Sequence, residues 1–224
     1  MPELVKIPLF PLGVVLLPDM HLPLHIFEER YKQMIAECLA EDRPFGIVLF
    51  DGQAIRSAGC LARVTRVLKR YDDGRMDIMT RGEERFLIRE ILEKRAYMEA
   101  RVLFFDDAPE DAVEGNLQQA VDAALTLIAS SPDFDIGPVP SGAGQGVHPK
   151  SLAFAIAALE GFTPAERQGI LEMTSPSERL EKCVQALTRI VARNRLTKEI
   201  RQLISGNGHP TRSILRELAD KSQG

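Results

Sequence analysis

Residues 7–31 read IPLFPLGVVLLPDMHLPLHIFEERY, and this stretch decides the fold. It is apolar enough to demand burial, yet it holds four prolines: Pro8, Pro11, Pro18 and Pro23. Each proline fixes φ and lacks an N–H, so no long regular helix forms across them. The segment is expected to enter the core as short strand pieces and turns. The pattern then changes abruptly. Phe27, Tyr31, Met34, Ile35, Cys38 and Leu39 recur at helical spacing, and Glu28, Glu29, Lys32, Gln33 and Glu37 fall between them. This predicts a helix over 27–40 that ends before Pro44.

Outward from the leader, Phe45–Phe50 (FGIVLF) is a short apolar run that suits a buried strand. Leu61–Leu68 is rich in β-formers, but its alternation slips between Thr65 and Arg66, which predicts a bulge. Tyr71-Asp72-Asp73-Gly74 is a turn signal, and alternation resumes over 76–80, so the pair reads as a hairpin. Arg81-Gly82 reads as a break, with further strands over 85–93 and 98–105. Short strands at such close spacing favour a small barrel or sandwich. Past Asp106 the period becomes helical. Val113, Leu117, Val121, Ala124, Leu125 and Ile128 form a stripe. A Gly/Pro-rich loop covers 130–149, and Leu152–Leu159 is a compact apolar helix stopped by Gly161. Thr163-Pro-Ala-Glu166 and Ser175-Pro-Ser-Glu178 are two capping boxes with proline at the first helical position. The last helix carries Leu180, Cys183, Val184, Leu187, Ile190 and Val191 on one face and runs to about Ile204. A polar tail follows, with a short helix expected over 214–218. The class is α+β. Three regions are expected: a mostly β region, barrel or sandwich, over 1–108, a helical region over 109–205 and a tail over 206–224.

The 224 residues are 45% hydrophobic and 27% charged, ordinary globular material. A formal charge of −4 gives no electrostatic reason to expect nucleic acid or anionic membrane as the main partner. The three cysteines, Cys38, Cys60 and Cys183, are widely spaced and read as buried thiols in a reducing compartment. No apolar run approaches the roughly 20 residues of a membrane span. Glu3, Pro8 and Pro11 argue against a secretory signal, so the cytoplasm is expected.

Each candidate chemistry has a plainer explanation. Residues 144–151 (GQGVHPKS) imitate a phosphate-binding loop, but Pro149 stands where the motif needs glycine before Lys150. A helix entry explains the segment better. His21 and His25 are separated by Pro23, which blocks the helical turn that would join them; His148 and His209 fall in loop and tail. No metal and no cofactor is expected, because structural zinc needs four ligands. Cys38 and Cys183 lie on apolar helical stripes, where packing is their usual role. No G-x-S-x-G elbow occurs and no carboxylate pair stands out, so no catalytic residue is expected. Arg63, Arg66, Lys69 and Arg70 form the densest basic patch, with Tyr71 as its only adjacent aromatic. Single-strand binders usually place several rings beside the charge. Glu28 and Arg30 flank the first helix start and suit local pairing or polar anchoring of a groove.

The leader, in the pattern PLFPLG-V--P----PL-IFE-RY, resembles the opening of the N-terminal substrate-recognition domain of Lon proteases. The resemblance continues through Arg43-Pro44-Phe45-Gly46, Gly59-Cys60-Leu61-Ala62-Arg63-Val64, Gly82-Glu83-Glu84-Arg85-Phe86-Leu87-Ile88 with Tyr97–Ala100, and Leu171–Leu180 with its "ERL". It spans roughly residues 5 to 195. It implies a PUA-like β barrel with one packed helix, followed by a helical bundle, and a stand-alone member without the ATPase and protease domains. It also implies a non-catalytic module that binds unfolded or extended polypeptide, an adaptor in protein quality control with a protease as a partner in trans. The candidate peptide-binding residues are Leu12, Val14, Leu16, Leu22, Leu24 and Ile26, with Glu28 and Arg30 as polar anchors. Two rivals remain: an RNA-binding adaptor, by analogy with other PUA-like barrels, and a hydrolase with an unrecognised site.

Overall fold

A computed structural model describes residues 3–92, 96–108, 122–128 and 149–206. In chain order the elements are β1 (Val5–Leu12), β2 (His21–Ile26), α1 (Glu29–Ala40), β3 (Phe45–Phe50), β4 (Ile55–Arg70), β5 (Met76–Leu92) and β6 (Glu99–Phe105). Helical residues 122–128 (α2), then α3 (Pro149–Ala158), α4 (Pro164–Glu172) and α5 (Pro176–Gly206) follow. The strands lie in the order β2-β5-β4-β3-β1-β6, and β6 pairs again with β5. That last pairing closes five strands into a barrel and leaves β2 attached to the first part of β5.

The proline-rich leader does form strand pieces. Val5–Pro8 pair antiparallel with β6, and Leu9–Leu12 pair parallel with β3. Each half of β1 is laddered to a single neighbour, which gives Pro8 and Pro11 a flank where no N–H bond is due. Ile7 and Leu9 point into a core shared with Val48, Leu61, Phe86, Ala100 and Val102. Val15, Leu16 and Leu17 are buried in the connection to β2.

Three expectations need correction. The break at Arg81-Gly82 does not exist, because β5 runs unbroken through Gly82. There the leader crosses the strand: Asp19 N–H donates to Gly82 O at 2.9 Å and Gly82 N–H donates to Met20 O at 2.9 Å. A Cβ on Gly82 would lie 2.0 Å from Leu17 O, so this glycine marks a close approach of two backbones. Strand β4 also starts earlier than Leu61, at Ile55, because an Asp51 side chain accepting from the Gln53 and Ala54 N–H groups turns the chain straight back onto β3. Finally, α1 begins at Glu29, and Phe27 lies outside it. The Tyr31 and Lys32 N–H groups donate to Glu28 O, which makes Glu28 the cap and Glu29 the first helical residue. The slip in β4 is a bulge: Val64 pairs with Thr80 and Arg66 with Met79, leaving Thr65 over.

Tyr31, Met34, Ile35 and Cys38 form the buried face of α1, with the Tyr31 and Phe10 ring centroids 4.0 Å apart. Proline opens α3, as a helix entry at Pro149 requires. Thr163 and Glu166 form the reciprocal capping box of α4. At α5, Ser175 Oγ accepts from Glu178 N–H at 3.3 Å. Gly161 takes φ +102°, the left-handed conformation expected of a helix stop. The expected positions Val113, Leu117 and Val121, residues 130–148 and 207–224, His148, His209 and the short helix over 214–218 lie outside the described residues.

Contacts divide the chain into two compact units, Met1–Val184 and Gln185–Gly224. Within the first, a buried ionic lock joins barrel to helices. Arg85 of β5 donates to the carbonyl oxygens of Leu171 and Met173 at the end of α4, at 3.0 and 2.5 Å. Arg179 of α5 donates to Met173 O at 3.0 Å and to both oxygens of Asp107, at 2.8 and 2.7 Å. Asp107 also accepts from Arg85 at 2.5 Å. Two cations thus cap the negative end of α4 while one carboxylate holds them together.

Candidate functional site

The leader contributes little chemistry and much apolar surface. Of its candidate residues, Leu16 and Ile26 are 1% exposed and belong to the interior. Leu12, Leu22 and Leu24 are half-buried, and Val14 is 38% exposed. Glu28 and Arg30 pair with each other at 2.8 Å, and the Arg30 guanidinium lies 4.6 Å from the Tyr31 ring centroid. Phe27, read from sequence as part of the helix stripe, is instead 59% exposed. Its signal was its place between the alternating His21–Ile26 and an acidic pair, where a helix entry displaces one apolar residue from the face.

Beside the leader lies a groove of about 590 Å³. Gly13, Leu49, Phe50, Asp51 and Arg56 form one side; Thr163, Pro164, Ala165, Gln168, Gly169 and Glu172 of α4 and its cap form the other. Phe50 is 43% exposed at its lip. Several of its polar groups are engaged, but the buried Gln168 Oε1 has no hydrogen-bond partner among the described residues. Asp51 pairs with Arg56 at 3.2 Å, and hydrogen bonds from the Ala54 and Gln53 N–H groups hold its carboxyl below the usual range. Gln168 donates to Ala58 O and to Glu172 at 3.1 and 2.7 Å. The Thr163 hydroxyl serves the helix cap. Such a groove can hold an apolar chain with a few polar contacts. Phe50 and the α4 residues escaped sequence reading because they meet only across the barrel end.

A second cleft, of about 580 Å³, runs from Pro18 and Asp19 past Gly82–Arg85 to Phe104–Asp106 and Lys150. Most of its charges are paired: Arg63 with Glu83 at 2.6 Å, Arg85 with Asp107 just beneath, and Lys150 with Asp106.

The basic patch is paired only in part. Arg63 is turned to Glu83 and Asp42. Lys69 and Arg75 lie 4.4 and 5.0 Å from the Tyr71 ring centroid. Tyr71 Oη donates to Asp77 at 2.9 Å, and His25 Nδ1 is 2.5 Å from the same carboxylate. The His25 bond, then the Tyr71 bond, hold the Asp77 carboxyl low. The His25 ring lies 5.9 Å from both Phe27 and Tyr71. His21 and His25 are four residues apart on an extended strand, about 13 Å, and no metal-binding group of three His, Cys, Asp or Glu occurs among the described residues. Burial pushes the Cys38 and Cys183 thiols up to about 11 and about 12, and raises Cys60 as well. No described helix is long and apolar enough to cross a membrane.

Comparison with known proteins agrees with this architecture. The chain is 29% identical over 195 residues to a Lon protease of Roseiflexus castenholzii, covering 82% of this chain and 24% of the relative. It is 28% identical over 211 residues to a Lon protease of Paraburkholderia phytofirmans, covering 87% and 25%. The chain thus spans about a quarter of the length of these curated relatives. Two solved structures share the fold. A Lon N-terminal domain protein from Xanthomonas campestris superposes with TM-score 0.62 at 21% identity, over 81% of this chain and 98% of that one. The N-terminal domain of a Mycobacterium avium complex Lon protease gives TM-score 0.65 at 19% identity, over 82% and 98%. Residues 6–189 match the model of the ATP-dependent protease La (LON) substrate-binding domain, and the chain belongs to that family.

Proposed function

We propose that the chain binds extended or unfolded polypeptide through apolar surface around its leader and performs no catalysis itself. It would act as an adaptor in protein quality control, with a protease as a partner in trans. One observation carries this: Val14, Phe27 and Phe50 stay exposed around the leader of a substrate-binding-domain fold, beside half-buried Leu12, Leu22 and Leu24. Phe50 lies at the groove, level with the start of β4, and Phe27 lies at the end of β2, level with the end of β4, so these are two apolar patches; exposed apolar side chains of this kind mark interaction surface. The proposed division is a barrel over 1–108, a helical region over 109–205 and a tail over 206–224. Three free buried thiols suit the cytoplasm.

The test is binding of fluorescent, reduced and carboxymethylated lactalbumin, followed by anisotropy. The wild-type chain should bind. Combined Val14→Ser, Phe27→Ser and Phe50→Ser should weaken binding at least tenfold, with unfolding temperature little changed because all three side chains are exposed. No binding by the wild type overturns the proposal. RNA is a second candidate partner, favoured by Tyr71 with Lys69 and Arg75 at its ring and His25 and Phe27 close by. Affinity for a single-stranded RNA should then fall steeply with salt; negligible binding at low salt removes it.

A further inference from the structure

Strand β2 is laddered on one side. Among the described residues it pairs with β5 alone. Pro23 reveals which of its groups look outward. Proline has no N–H, so the Pro23–Met79 pair cannot be one that exchanges two hydrogen bonds. The exchanging pairs are then Leu22–Thr80, Leu24–Ile78 and Ile26–Met76, in the register observed. Thr80 Oγ1 donates to Leu22 O at 2.8 Å, consistent with that carbonyl facing β5. The backbone groups of His21, Pro23 and His25 therefore face away from the sheet: N–H donors at His21 and His25, and a carbonyl at each of the three. All three residues are exposed. Phe27 follows at the strand's end, the most exposed aromatic of the leader.

We infer that the outer edge of β2 is where an extended segment of substrate polypeptide docks, adding to the sheet as a strand, with Phe27 as the side-chain anchor beside it. The inference rests on the polypeptide-binding function proposed above and specifies how that binding is done. A row of outward N–H and C=O groups at a period of two residues is complementary to another extended backbone. The side chains around the edge are engaged locally: Asp19 pairs with Arg81, Glu28 with Arg30, and Asp77 is hydrogen-bonded to His25 and Tyr71. Recognition through main-chain bonds needs no particular sequence in the occupant, which suits a module that meets many unfolded chains. Pro23 withholds the middle donor. That keeps the edge short and stops it from templating long β pairing.

Hydrogen–deuterium exchange over residues 20–27, with and without reduced, carboxymethylated lactalbumin, tests the inference together with His21→Pro and His21→Ala. Both variants remove the side chain, but only proline removes the outward N–H. The His21 and His25 amides should become protected by the probe. His21→Pro should weaken binding roughly five- to tenfold, the value of one lost hydrogen bond, while His21→Ala binds as wild type. Should His21→Pro prove unfolded by circular dichroism, exchange in the wild-type chain decides alone. A probe that binds without protecting β2 overturns edge docking and leaves polypeptide binding standing. A probe that does not bind overturns both. Protection that grows with protein concentration in the absence of probe makes a second copy the occupant and also overturns the inference.

Discussion

Gly82 shows what a single residue contributes. It stands in mid-strand, where glycine ordinarily weakens pairing, and it is there because Leu17 O passes over it. Gly82→Ala should destabilise the fold by about 3 kcal/mol, the upper end for overpacking, because the obstruction is backbone and cannot rotate away. Urea unfolding measures this directly, and a loss under about 0.5 kcal/mol, the usual surface value, would show that the crossing is not tight. Gly59 is a similar case in the core: its Cβ would lie 2.5 Å from the Phe86 ring. The glycines and arginines of the family-like pieces thus meet residues distant in the chain: Gly82 meets Leu17, Gly59 meets Phe86, and Arg85 and Arg179 share Asp107. Their chemistry was visible in the sequence, but their partners were not, since Gly82 and Leu17, or Arg85 and Arg179, are far apart along the chain.

Among the elements, α4 was the most legible. Its hydroxyl N-cap, Pro164 and Glu166 are all local signals, and they form the expected geometry: Glu166 N–H donates to Thr163 Oγ1 at 3.2 Å and Thr163 N–H to the Glu166 carboxylate at 2.8 Å. Thr163→Ala should cost about 1 kcal/mol, seen as a lower denaturation midpoint with an unchanged m-value. An unaltered midpoint would mean that Arg85, holding the far end of α4, already carries the helix. β5 was the least legible. Its central glycine and the charges of Arg81, Glu83 and Glu84 imitate a turn, and only the leader lying across it explains why the strand continues. The candidate site divides in the same manner. Alternation of apolar residues identified the leader as important, but it could not tell Leu16 and Ile26, which are buried, from Val14, which is not.

At the scale of the molecule, the lock of Arg85, Asp107 and Arg179 makes stability pH-dependent. Burial raises the Asp107 carboxyl, but the hydrogen bond and charge of Arg179, with Arg85 and Lys150, outweigh it and hold the group below its ordinary value. A carboxyl lower in the folded than in the unfolded chain stabilises above the unfolded pKa of about 3.9 and loses that contribution as pH falls through the folded value. Stability should therefore decline from about pH 5 downward. Asp107→Asn should lose about 3 kcal/mol at pH 7, because two buried guanidinium groups are left without their anion, and its decline in acid should be shallower. Urea unfolding from pH 7 to pH 2 checks both; parallel curves for the two proteins would place the acid sensitivity elsewhere. By itself the sequence determined the β-then-α order, the helix caps, the burial of the cysteines and the leader's refusal to be helical. These follow from φ, N–H supply and hydrophobic period, which act within a few residues of one another. The closure of β6 onto β5, the crossing at Gly82, the ionic lock and the exposed outer edge of β2 were decided only in three dimensions. Each depends on which distant backbones come within bonding distance, and packing, not local preference, settles that.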